Sequence, residues 1–164
     1  PKVLEQTESN VIVDSEAITT VLVDTSDSES ESRLASYVGA NCVVICFSVD
    51  IPSSLQNVRE KWYPEVRAAC GSDVPIVLVS LKEDLKEDPI SISKTTETFG
   101  RGTITFKEGE SVSIEIGAAW FEEVSALTDR GIKMAFDSSA REALKHLRRN
   151  RTTIHERRKP CVLC

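Results

Sequence analysis

No apolar run in this 164-residue chain approaches the length needed to cross a bilayer as a helix, which is about 20 residues. The opening Pro1-Lys2-Val3-Leu4-Glu5 has no basic-then-apolar pattern of a secretory leader. It also has no Met, so the sequence is read as a fragment or a processed chain. The five cysteines are an odd number, and two of them, Cys42 and Cys46, share one apolar run. That usage argues against a disulfide scaffold and for reduced thiols in a cytosolic setting. There is no internal repeat. What is present, 40% apolar and 28% charged residues, is ordinary for one globular domain with a real core.

The net charge of −6 conceals an asymmetry. From Arg141 onward eight Lys/Arg stand against two Glu, leaving the tail at +6 and the body at −12. A basic tail on an acidic body implies a partner of its own, nucleic acid or an anionic membrane.

Two short runs organise the rest. Cys42-Val43-Val44-Ile45-Cys46-Phe47 and Val74-Pro75-Ile76-Val77-Leu78-Val79 read as strands buried on both faces. Between them Leu55, Val58, Trp62, Val66 and Cys70 fall on one helical face. Ser53 or Ser54 is the expected cap, and Pro64 the expected kink or break. Strand, helix and strand make a parallel βαβ unit, whose ligands bind at the carboxyl ends of the strands. Those ends carry Ser48-Val49-Asp50 and Ser80-Leu81-Lys82-Glu83-Asp84.

Upstream, Asn10–Val13 and Ile18–Val23 form an expected antiparallel hairpin turning at Asp14–Ala17. Asp24–Ser32 is acidic, serine-rich and aperiodic, hence an expected loop. Residues 86–102 read as a surface excursion of poor helix formers. Ser111–Ile116 alternates with period two, which locally argues a strand. Ala119–Val124 is a candidate strand and Ser125–Gly131 a loop. A last amphipathic helix carries Ile132, Phe136, Ala140, Ala143, Leu144 and Leu147 on one face. Residues 1–148 form the expected domain and 149–164 a polybasic tail.

Pro160-Cys161-Val162-Leu163-Cys164 closes the sequence with a Cys-aliphatic-aliphatic-X prenylation box, with Cys161 as the lipid-bearing thiol. A chance C-x-x-C or a redox pair is the bland alternative, disfavoured because no helix follows. One lipid binds membranes only marginally, and the basic run 148–159 supplies the second signal. A nucleic-acid arm is disfavoured by the box and by the lack of interleaved aromatics.

Several segments together resemble one family. They are Asp24-Thr25 at a strand end, Phe47-Ser48-Val49-Asp50, and Glu60-Lys61-Trp62-Tyr63-Pro64-Glu65-Val66. The list continues with Val74–Val79, Lys82-Glu83-Asp84-Leu85, Ile116-Gly117-Ala118, Glu123-Val124-Ser125-Ala126 and the terminal box. In this order they resemble the Rho family of Ras-like small GTPases. The resemblance implies an α/β Ras-like P-loop GTPase fold: a mostly parallel sheet, one antiparallel edge hairpin and flanking helices. The first strand, phosphate loop and first helix have no counterpart here. It also implies a helix, not a strand, at Ser111–Ile116.

By resemblance, Lys82 and Asp84 belong to the guanine loop, and Ser125 and Ala126 to a second base-contacting loop. Asp24 supports Mg2+, and GTP or GDP is the ligand. The family Asn of the guanine loop is Leu81 here, and the family Lys of the second loop is Leu127. The family Thr that reaches magnesium falls on Lys2. The γ-phosphate-contacting Gly is Asp27, and the water-positioning Gln is Ser28, so no intact catalytic residue is expected. The implied activity is a nucleotide switch with impaired binding and hydrolysis, signalling to the actin cytoskeleton. The implied partners are Rho-type effectors, exchange factors, GTPase-activating proteins and dissociation inhibitors. The expected location is the cytoplasmic face of the plasma membrane or endomembranes, or the cytosol without the lipid. The alternatives are a membrane-tethered pseudo-GTPase and a degenerate product without a stable fold. Lacking the family's central strand, the chain is expected either to aggregate or to pair its hairpin directly with the Cys42 strand.

Overall fold

The computed structural model describes residues 5–25, 30–151 and 161–163. Its centre is a six-stranded sheet in the order β1-β2-β6-β3-β4-β5. The strands are β1 Glu5–Val13, β2 Glu16–Asp24, β3 Val43–Ser48, β4 Ile76–Leu81, β5 Trp120–Glu123 and β6 Cys161–Leu163. Only β1 runs antiparallel to its neighbour. This is the mostly parallel sheet with an antiparallel edge hairpin that the family resemblance implies. The hairpin turns on two residues rather than four. Asp14 and Ser15 both have positive φ, 51° and 67°, the type I′ geometry whose twist matches flanking strands.

The two apolar runs become β3 and β4, paired in parallel from Val43↔Ile76 to Ser48↔Leu81. Successive side chains alternate between the two sheet faces. Val43, Ile45, Phe47, Ile76 and Leu78 pack on one face with Leu55, Val58, Val66, Val112 and Ile116. Val44, Val77 and Val79 pack on the other with Ala135 and Ile132. The first face is covered by α1 (Ser30–Tyr37), α2 (Pro52–Asn57), α3 (Tyr63–Cys70) and α5 (Phe106–Glu115); the second is covered by α6 (Ile132–Arg151).

The crossover is continuous. A π-turn, Val58–Trp62, joins α2 to α3 immediately before Pro64. The Tyr63 N–H bonds the Val58 carbonyl, and the wider turn accommodates the proline ring without breaking the helix. Neither Ser53 nor Ser54 caps it: the N-cap is Ile51 and makes no side-chain cap. Ser54 Oγ instead donates to the Ser48 and Ile51 carbonyls and accepts from the Ser48 N–H. Leu55, Val58 and Val66 are buried, while Trp62 and Cys70 are half-buried against the same core.

Three further expectations change, and one made by resemblance against the local pattern holds. Ser30–Ser32 opens α1 rather than ending a loop. Residues 89–99 form α4 (Pro89–Phe99), not an irregular excursion. Asp88 caps it by accepting from the Ile90 and Ser91 N–H groups, and Pro89 pre-sets the first turn. Ser111–Ile116 is helical, as the family resemblance implies and the local alternation does not. A Thr105/Glu108 capping box starts that helix, and Val112 and Ser113 both face inward. Along α6 the deeply buried side chains are Ala135, Ser138, Ser139, Ala140 and His146, whereas Phe136 is 41% exposed. The apolar face is therefore rotated from the one expected.

The hairpin does not meet β3 directly. Cys161–Leu163 lies between them, parallel to both. Lys2, Asp27 and Ser28 lie outside the described residues.

Candidate nucleotide-base site at the carboxyl rim

In a parallel sheet the strand carboxyl ends share one rim. Here that rim carries Asp24 at the end of β2, Asp50 after β3, Lys82–Asp84 after β4 and Ser125 after β5.

Lys82 leaves β4 with φ 60° and ψ 41°, left-handed geometry for a residue with a Cβ. Such a position costs on the order of 1 kcal/mol and is sustained by its surroundings. It turns the chain into the short 3-10 helix Glu83–Lys86. The Glu83 N–H bonds the Val124 carbonyl at 3.0 Å. Arg130 pairs with Glu83 at 2.8 Å, and Lys86 pairs with Glu123. The loops after β4 and β5 are thus zipped together before any ligand arrives.

At the centre of that zip the Ser125 hydroxyl donates to Asp84 Oδ1. The same hydroxyl accepts the Thr128 N–H at 3.2 Å. Ser125 is fully buried, with its N–H on the Arg130 carbonyl at 3.0 Å. Ala126, the next residue of the loop, is exposed. Gly131, at φ +71°, closes the loop, because a side chain there would strike the Glu123 carbonyl. An ionised carboxylate such as Asp84 only accepts. With one oxygen taken by Ser125, the other can accept from a ligand N–H. Lys82 and Asp84 thus lie on one rim loop and Ser125 and Ala126 on the next, joined by the Ser125–Asp84 hydrogen bond.

Lys82 carries a constraint that sequence reasoning did not assign. Its Nζ lies 3.1 and 3.3 Å from the Asp50 carboxylate, and the Ser48 hydroxyl also bonds Asp50. Burial pushes the Asp50 carboxyl up, but the Ser48 and Lys82 hydrogen bonds and the Lys82 charge outweigh it. The carboxyl titrates below its ordinary value. Asp50 thereby orients the Lys82 stem across the rim. The Ser48-Val49-Asp50 strand end was the available signal.

Asp24 is not part of this group. It lies exposed at the end of β2, with β6 and β3 between it and β4. Among the described residues no three His, Cys, Asp or Glu side chains are grouped so as to hold a metal ion. Leu81, where the family has Asn, lines an apolar groove of about 330 Å³ with Val79, Val44, Cys46, Leu22 and Phe136. Leu127 is 82% exposed.

A mostly parallel α/β sheet with loops gathered at its carboxyl rim places its ligand site at that rim. Comparison with known proteins goes further. The Ras family model matches residues 2–145. The chain is 38% identical over 170 residues to the GTP-binding protein RHO1 of Saccharomyces cerevisiae, covering 99% of this chain and 80% of that protein. It is 39% identical to the GTP-binding protein rho5 of Schizosaccharomyces pombe, covering 99% and 82%. It is 38% identical to the GTP-binding protein RHO1 of Candida albicans, covering 99% and 80%. The chain belongs to the Ras family, as a small GTPase of Rho type.

Proposed function

We propose that the chain binds guanine nucleotides through the β4 and β5 rim loops, as a Rho-type switch whose hydrolytic half is impaired. The observation that carries this is the Ser125–Asp84 hydrogen bond, which holds the base loop ready. Asp84 accepts from the guanine edge, the Lys82 stem lies along the ring, and Ala126 presents its N–H. When bound, the nucleotide would supply the phosphate charge that such a switch senses, and Mg2+ would partly neutralise it. Asp27 in place of Gly sets a negative charge against the γ-phosphate, and Ser28 in place of Gln is too short to position the attacking water.

Cys161 carries a lipid, and with the basic tail holds the protein on an anionic cytoplasmic membrane surface. Rho-type exchange factors, GTPase-activating proteins, dissociation inhibitors and effectors of the actin cytoskeleton are its partners. A second reading, a pseudo-GTPase that holds partners without a nucleotide cycle, is favoured by Leu81. Its apolar side chain lines a groove where the family has a polar tie to the phosphate loop.

Titration of fluorescent GDP and GTP, with magnesium and with EDTA, tests this. Guanine-specific binding, competed by guanosine and weakened at least tenfold by Asp84→Ala, is the expected result. A folded chain that binds neither nucleotide would establish the second reading.

A further inference from the structure

The C-terminal strand is the unabsorbed feature. β6 is three residues long, yet it lies inside the sheet with a parallel neighbour on each edge. On one side the register is Leu22↔Cys161, Val23↔Val162 and Asp24↔Leu163. On the other it is Val43↔Val162 and Val44↔Leu163. Val23 and Val43, which flank Val162, are 1% and 0% exposed. Backbone N–H and C=O groups at such depth need partners. Without β6, the facing edges of β2 and β3 would lose theirs, and the sheet would open into two pieces.

The same residues are the core of the lipidation box. An enzyme that attaches a lipid to Cys161 must take hold of the chain from Cys161 to its end. A strand hydrogen-bonded on both edges has no free backbone edge to give it. We propose that the segment Cys161–Leu163 is a self-inserted strand and that insertion and lipidation exclude each other. In the tail-in state the segment completes the sheet and Cys161 is withheld. In the tail-out state Cys161 is available and the slot between β2 and β3 is open. The transfer step joins the Cys161 sulfur to the isoprenoid C1 carbon. The carbon–diphosphate bond breaks, diphosphate leaves, and the thiol proton passes to solvent. Removal of Val162–Cys164 afterwards takes away two of the three pairing residues, so the processed chain stays tail-out. The insertion half stands on backbone pairing alone; the exclusion half rests on the lipidation reading of Cys161.

Two measurements on the full chain decide it. The first is hydrogen exchange of residues 161–163. Protection at least tenfold above a free peptide of residues 149–164 is expected, and exchange at the peptide's rate overturns insertion. The second is transfer of labelled farnesyl and geranylgeranyl groups by protein prenyltransferases, to the full chain and to that peptide. Labelling of the chain at least tenfold slower than the peptide is expected. Equal rates overturn the exclusion. A peptide that takes no label sinks the lipidation reading and the exclusion with it, while hydrogen exchange still decides insertion. Deleting residues 161–164 should speed exchange of the β2 amides at least tenfold, and unchanged β2 protection also overturns insertion.

Discussion

The two halves of the sheet are built to different standards. In β3 and β4 nearly every residue is buried, because helices cover both faces. In β2 only Val23 is buried, and much of the hairpin faces solvent. The first half is held by packing from four helices and α6. The second half is held by α6, by the three-residue strand β6, and by ion pairs at the hairpin tip, Arg141 with Asp14 and Arg148 with Glu16. Burial on both faces makes a strand hard to open; an edge hairpin opens locally at far lower cost. The base loops grow from the well-packed half, which is why they are already assembled.

The comparison can be broken by substitution. Phe47→Ala removes a 2%-exposed ring that stacks near Phe121, and urea unfolding should show a loss of about 3–5 kcal/mol. Arg33→Ala should follow. Arg33 is 3% exposed, bonds both Glu65 oxygens at 2.7 and 2.9 Å, and shares Glu65 with the Tyr37 hydroxyl. Removing one partner of so buried a pair costs about 3 kcal/mol, the low end of the usual range because Glu65 keeps some solvent contact.

The same pair sets a pH dependence. Hydrogen bonding from Arg33 holds the Glu65 carboxyl below its ordinary value of 4.5, against an upward push from burial. A carboxyl lower in the folded than in the unfolded chain contributes stability that is complete above that ordinary value. The contribution is lost as pH falls through the folded value. Unfolding free energy measured from pH 6 downward (a range of about 3 units around the ordinary carboxylate values) should decline, and Glu65→Gln should flatten the decline. An equally steep decline in Glu65→Gln would remove this pair from the account.

The hairpin half should answer weakly. Asp14→Ala breaks an exposed 3.2 Å pair and should cost within about 1 kcal/mol. Ile12→Ala, at a 72%-exposed position, should change stability by less than about 0.5 kcal/mol. If Ile12→Ala cost as much as Phe47→Ala, the two halves would be equally packed and the contrast false.

Legibility followed the same divide. β3 and β4 were readable because strands buried on both faces carry continuous apolar runs, and the alternating hairpin was readable from its β-branched residues. The helix at residues 89–99 was hidden by its serines and threonines, although Asp88-Pro89 was a usable start signal. At Ser111–Ile116 the alternation misled, and Thr105 with Glu108 three residues later was the stronger local signal. Of the candidate site, Lys82, Asp84, Ser125 and Ala126 were named by resemblance alone, and the structure sets them on two adjoining rim loops. Asp50's hold on Lys82 was not, because it joins the ends of two strands 32 positions apart in sequence.

The sequence by itself determined the parallel sheet, its crossover and the residues at its rim, because period and apolar run length encode burial. Only the tertiary structure decided that the last strand of the sheet is the tail. Three residues carry too little pattern to mark a strand. What makes them one is the facing pair of backbone edges at β2 and β3, and those edges exist only once the rest of the chain has folded.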